Sequence, residues 1–263
     1  WIQPDPFEPA TWKSLLPAIR HRSKAAPTGS ELAERLAAVP LAEREHALVN
    51  ELLKGNVPEH LRKFVPVRVN SKATDGAEHS VTLFVLPDYL AVGPSVDHLR
   101  SPLTPRRSRF IADCFGCTLP TRTMVDAIHR EAARKLEPRP LTENREALQT
   151  FLEHHNVIEE QLVGAVPGKL VSGIKKDVVL TNRLKEKPGR VAIYGWHQFD
   201  GRPIQPLSIV HTENYVDYSH GIRLLSRWAK VDGKLMLVEE VLQDEELCSL
   251  LSDEGPIGQG MYD

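Results

Sequence analysis

The chain has 263 residues, 41% hydrophobic and 26% charged, with 33 Lys plus Arg against 35 Asp plus Glu. That length and balance allow a buried core that needs neither metal nor disulfide to fold. A net charge of −2 excludes the basic footprint of a nucleic-acid partner, and no run approaches the roughly 20 apolar residues of a membrane span.

The first residue is Trp1 rather than Met. A removed leader is therefore open, and with it a secreted or periplasmic location. Residues 1–60 read as a helical N-terminal extension and 61–263 as an α+β core domain. "TGSE" at 28–31 is a capping box that opens a helix ended by Pro40. "LAEREHALVNELLK" forms a second helix, closed by Gly55 at the C′ position. Leu41, Leu48 and Leu52 share one face of it, with Val49 and Leu53 beside them. Glu45 interrupts the stripe, so firm contact is expected only in the second half.

"FVPVRV" and "SVTLFVL" flank Asp75-Gly76 and read as a hairpin. "PDYLAVG" continues extended, and 94–104 reads as a surface loop. Helices follow over about 105–114, with Thr104 as cap and Pro105 at the first position, and over about 121–136, capped by Thr121. The strongest periodicity, Leu148, Phe151, Leu152, His155, Ile158 and Leu162, predicts a helix over 142–163. His155 on that stripe reads as a core histidine unless the stripe lines a cleft. From 169 onward short strands predict an antiparallel meander with turns at Asp200-Gly201 and Asp232-Gly233, and "QDEELCSLLSDEG" predicts a closing helix. Helices and strands in separate blocks indicate an α+β fold, a helical N-terminal region followed by a mostly antiparallel C-terminal sheet.

Cys114 and Cys117 form "CFGC", and Cys248 stands alone. A zinc site would want a second such pair, and a redox motif would open a helix after a strand, with a low-pKa thiol. Neither pattern is met, so the pair reads as structural. No H-x-H or HExxH spacing occurs, so neither a metal nor another cofactor is expected.

Residues 194–223 hold three of the eleven histidines, three of the five tyrosines and one of the four tryptophans. Histidine is the side chain best suited to proton transfer near neutral pH. With a tight turn at Asp200-Gly201, His197 would lie opposite Ile204 and His211 opposite Arg190. His197 and His211 would then be about 23 Å apart, although Pro203 and Pro206 fit poorly in a paired central strand. A reversal around Asn214 would bring His211 and His220 together, with Asp217 on the loop. Ser219 and His220 are strand neighbours and point to opposite faces, so a Ser219 nucleophile needs His211 or His197 as base. The expected assignment is as follows. His211 or His220 is the general acid/base, oriented by Asp217, with His197 as a further candidate. Ser219 or an activated water attacks. Arg223 and Lys176 hold an anionic group, and Trp196, Tyr194 and Tyr218 wall the cleft. Lys175-Lys176-Asp177, which reads as a surface turn, and Asp88-Tyr89, in the extended stretch after Pro87, are weaker candidates.

"SHGIRL", residues 219–224, resembles the S-H-G-C-[IV]-R-L signature of the L,D-transpeptidases, which cross-link bacterial cell wall. The nucleophilic cysteine of that family is missing, since Ile222 follows Gly221 directly, and the match covers six residues. The resemblance implies a Ser-His-Gly turn that, with the strand arginine, builds an anion-handling corner. The expected function is a hydrolase or related transferase using histidine acid/base chemistry on a peptide or glycan-like substrate, small or polymeric. The alternative is a non-catalytic carbohydrate- or peptide-binding module, in which the aromatics form the recognition surface.

Overall fold

Thr28 starts the first element as its sequence requires. In the computed structural model, which describes residues 19–74, 76–258 and 260–262, its hydroxyl accepts from Glu31 N while the Glu31 carboxylate accepts from Thr28 N at 2.9 Å. Helix α1 spans Gly29–Leu36 and α2 spans Leu41–Leu53. Gly55 has φ +84°, and Asn56 N→Glu51 O with Gly55 N→Leu52 O closes α2 as a Schellman motif. Leu32, Leu36, Leu48 and Leu52 join the same apolar cluster as the strand residues Val67, Leu83 and Val85.

Glu45 is no weak point of α2. It is buried, and its carboxylate accepts from both the backbone N and the hydroxyl of Thr104. Thr104 in turn precedes α3, Pro105–Cys114, without capping it by its own side chain. The carboxylate supplies both the missing acceptor and a negative charge at a helix start. Glu45→Ala is expected to lower stability by about 1–3 kcal/mol, because two buried donors lose their partner; a urea titration measures it.

Strands β1 (Val65–Lys72) and β2 (Glu78–Val85) pair antiparallel from Val65↔Val85 to Lys72↔Glu78. Asp75 of the intervening turn lies outside the described residues. Instead of a plain loop, the following segment folds back as β3 (Ala91–Val92) on β4 (Leu99–Arg100), which carries Arg100 into the interior. β5 is Cys117–Thr118. Helix α4 spans Arg122–Glu131, with the Thr121 hydroxyl accepting from Met124 N at 3.2 Å. It stops short of 136 because β6 (Arg134–Lys135) leaves to pair in parallel with β7 (Val171–Ser172). Helix α5 begins late, at Leu148, and runs to Leu162. Asn144 in the left-handed region, φ +45°, blocks helix before it, and the Thr150 hydroxyl donates to Asn144 O.

The C-terminal half is two sheets, not one meander. β8 (Lys176–Val178), β9 (Ile193–His197), β10 (Pro203–Ser208) and β11 (His220–Gly221) form a sheet ordered β10-β9-β8-β11, with α6 (Arg183–Glu186) between β8 and β9 in sequence. β10-β9-β8 is antiparallel, but β11 runs parallel to β8. β12 (Leu225–Ser226), β13 (Trp228–Val231) and β14 (Lys234–Leu237) go to the other sheet, ordered β14-β13-β2-β12-β5, with β1 also on β2. The switch is tied by backbone bonds Leu90 N→Ile222 O and Leu86 N→Leu224 O.

The Asp200-Gly201 hairpin forms with its register one residue from the expected one, Pro203 opposite His197. Its prolines are tolerated because β10 is an edge strand, where a missing N–H leaves no partner unpaired. Asp232 and Gly233, with φ +47° and +88°, make the β13–β14 turn. α7 (Val238–Gln243) follows, and the acidic tail holds only a 3₁₀ turn at Cys248–Leu250.

Cys114 and Cys117 are free thiols. Burial raises both pKa values, that of Cys117 to about 12, the opposite of what a thiol redox centre needs. Among the described residues no helix is long and apolar enough to cross a membrane.

Candidate functional site

Strand β9 is bent at its centre. Gly195 and Trp196 both have positive φ, +110° and +57°, a conformation that costs a bulky residue about 1–3 kcal/mol. The bend breaks strand alternation. Tyr194 Oη and His197 Nε2 both donate to Asp126 Oδ1 on α4, each at 2.8 Å, and His129 stacks on His197 with centroids 4.6 Å apart. Trp196 goes elsewhere. It meets His154 and Tyr218 at 6.1 and 6.3 Å, and the Lys176 ammonium lies 5.2 Å from its ring centroid.

The "YVDYSHG" turn is organised by Asp217. Oδ1 accepts from Ser219 N at 2.8 Å and from Ser219 Oγ at 2.5 Å. Oδ2 accepts from Tyr215 Oη at 2.9 Å and from Arg145 Nε and Nη2 at 3.1 and 2.7 Å. Burial opposes ionisation of this carboxyl, but His220, Ser219 and Arg145 outweigh it and hold its pKa well below the usual carboxylate range. His220 Nε2 lies 4.0 Å from Asp217 Oδ1. The ring is 1% exposed, and neither nitrogen has a hydrogen-bond partner. Burial, then Lys176, lowers the His220 pKa to about 4, against the pull of Asp217. Lys176 stands opposite His220 in the parallel register. Tyr215 meets the His220 ring at 5.7 Å and stacks on His211 at 4.2 Å.

The structure thus gathers His220, Asp217, Ser219, Lys176 and, through Tyr215, His211. Trp196 and Tyr218 join them from the side. His197 and Tyr194 belong instead to the Asp126 cluster. Ser219 is fully buried and donates directly to the carboxylate, so no histidine stands between the two. Arg223 is fully buried. It donates to Leu86 O and Val171 O at 3.0 and 2.7 Å and lies 4.1 Å over the Tyr89 ring. Gly221 is required beneath it, since a Cβ there would lie 2.5 Å from Tyr89 ring carbons. The arginine of the Ser-His-Gly corner therefore ties β7 to the residue that follows β2.

The lysine pair and Asp177 are not a surface turn; all three are buried. Lys175 Nζ donates to Tyr218 O and lies 3.3 Å from His154 Nδ1, and burial, with Arg100, lowers its pKa to about 7. Asp177 accepts from Tyr89 Oη at 3.2 Å, and burial raises its pKa from 3.8 to about 6. A raised carboxyl pKa favours the folded state only while the group is protonated. The penalty therefore grows as pH rises from about 4 to 6 and is constant above. Asp177→Asn is expected to raise stability at pH 8 by up to roughly 3 kcal/mol and to leave it unchanged at pH 4; urea titrations at both pH values decide.

Asp88 and Tyr89 are likewise interior. Arg100 grips Asp88 through Nε at 3.3 Å and Nη2 at 2.5 Å, and reaches His155 Nδ1 at 3.0 Å and Glu159 Oε1 at 2.6 Å through Nη1. A cavity of about 140 Å³ is lined by Asp88, His98, Arg100 and Glu159, with His60 and Ser95 among its other residues. Helix α5 borders this cavity through Glu159 and Leu162, and His155 is buried behind Arg100. His98, Arg100 and Glu159 were not singled out in the sequence. The available signal was the His155-x-x-x-Glu159 spacing, which puts both on one helix face.

No family model, curated protein or solved structure matches this chain.

Proposed function

We propose that the chain is a hydrolase or related transferase that uses histidine acid/base chemistry on a peptide or glycan-like substrate, with its site at His220, Asp217 and Lys176. The observation that carries this reading is His220, a buried imidazole with both nitrogens unpartnered beside an ionised carboxylate. Unsatisfied buried polar groups are rare, and each calls for an explanation; a substrate or attacking water supplies one here. On a peptide or ester bond, the neutral ring takes a proton from water as the oxygen attacks the carbonyl carbon, then returns it to the leaving group as the tetrahedral intermediate collapses. Asp217 stabilises the imidazolium formed between the two steps. Lys176 lies where it can offset charge on the attacked centre, and Trp196 and Tyr218 pack the substrate. Ser219 positions Asp217, so the attacker is water or, in transfer, an acceptor group. The half-buried pair Tyr215 and His211 forms the entry.

The test is a panel of peptides and oligosaccharides, read by released amine and reducing ends, with the native chain and His220→Gln. Turnover abolished by the substitution supports the reading. Turnover that survives it sinks the reading. Binding without turnover, lost in Trp196→Ala, moves the site to the recognition module instead.

A further inference from the structure

Adjacent histidines of α5 face different neighbours. His154 meets Trp196 and Tyr218, whereas His155 meets Arg100 and His98. The second face holds a group of side chains that the reaction above does not use. His98 is 8% exposed, and its Nε2 has no hydrogen-bond partner. That nitrogen lies 3.6 Å from Glu159 Oε1. His155 and Glu159 stand one helical turn apart, so both reach the same place. One ligand atom from each of His98, His155 and Glu159 lies within 4.8 Å of the others. Tetrahedral zinc, with bonds of about 2.0–2.2 Å, sets its ligand atoms roughly 3.3–3.6 Å apart, so a modest contraction closes the set. The His60 ring, edge-on to His98 at 5.1 Å, borders the same cavity.

A cationic group already stands between two of these ligands. Arg100 Nη1 is 2.6 Å from Glu159 Oε1 and 3.0 Å from His155 Nδ1. Its guanidinium is anchored independently by Asp88 through Nε and Nη2. The guanidinium is rigid and planar, so Nη1 releases the His155 Nδ1 lone pair only when the whole Arg100 head group shifts on Asp88. We propose that His98, His155 and Glu159 bind a divalent transition-metal ion of the zinc class, and that Arg100 Nη1 holds the ion's position when none is bound. Two imidazoles and one carboxylate suit zinc, cobalt or nickel over magnesium or calcium, which favour all-oxygen shells.

The full chain, stripped with chelator, is titrated with Zn²⁺ by calorimetry and with Co²⁺ by visible absorption. One equivalent is expected, with a cobalt band of tetrahedral intensity. His98→Ala and Glu159→Gln should each weaken binding by more than the roughly 10–100-fold that outer-shell partners cost. Arg100→Met combined with Asp88→Asn, which removes both buried charges together, should tighten it. Circular dichroism of the metal-free variants establishes that they are folded. Absence of stoichiometric binding to the native chain overturns the proposal, and so does binding that His98→Ala and Glu159→Gln leave unchanged. Neither result bears on His220, which shares no ligand with this set.

Discussion

Asp88→Ala is expected to lower the free energy of unfolding by about 3–5 kcal/mol, the range for removing one partner of a buried ion pair. Arg100 is 2% exposed and Asp88 5%, so the guanidinium cannot recover its hydration when the carboxylate is gone. Glu159 remains as a counter-charge but is half-exposed, and its attraction is weakened by solvent. Burial opposes ionisation of Asp88, but Arg100 outweighs it and holds the carboxyl well below its usual range. For such a depressed carboxylate the stabilisation is complete above the unfolded value of about 3.9 and is lost as pH falls through the lower folded value. Urea titrations from pH 7 downward should show the native chain losing stability below about pH 4, on a limb shallower in Asp88→Ala. Equal stability of the two proteins at pH 7 would mean that the Arg100–Asp88 pair is not the interior contact described.

The second large effect is catalytic. On the reading proposed above, His220→Gln should reduce kcat/KM by roughly 10²–10⁴-fold, the usual contribution of a positioned acid/base, with little change in KM. The pH profile separates this role from a structural one. Since His220 titrates at about 4, kcat/KM should rise through an acid limb near pH 4 and be level at neutrality. An unperturbed histidine would place that limb at about 6.5. Burial lowers the value most; among the neighbouring groups Asp217 raises it, and Lys176, His211 and Lys175 lower it. Lys176→Met should therefore move the limb to higher pH and Asp217→Asn to lower pH. A limb that stays in place in both variants would remove His220 from the chemistry.

Local rules settled much of this molecule from its sequence. The Thr28–Glu31 capping box, the Gly55 helix stop, and the turns at Asp200-Gly201 and Asp232-Gly233 are each written in a few consecutive residues, because the interactions that create them span about six residues or fewer. The α+β class follows from the same short-range periodicities. The crowding of His211, Asp217, Ser219 and His220 was also legible, since a tight turn keeps sequence neighbours together in space.

What tertiary structure decided has the opposite character. Glu45 meets Thr104, and Arg100 meets His155, across 59 and 55 residues; no window along the chain shows that a polar residue in an apolar stripe has such a partner. The parallel pairing of β11 with β8 and the passage of β12–β14 to the other sheet depend on where Ile222 and Leu224 find backbone donors. The bend at Gly195-Trp196 sends His197 to Asp126 and Trp196 to Lys176, against the alternation that a regular strand imposes. Buried charges follow this rule throughout: their energy depends on what surrounds them, and that is fixed only when distant segments pack.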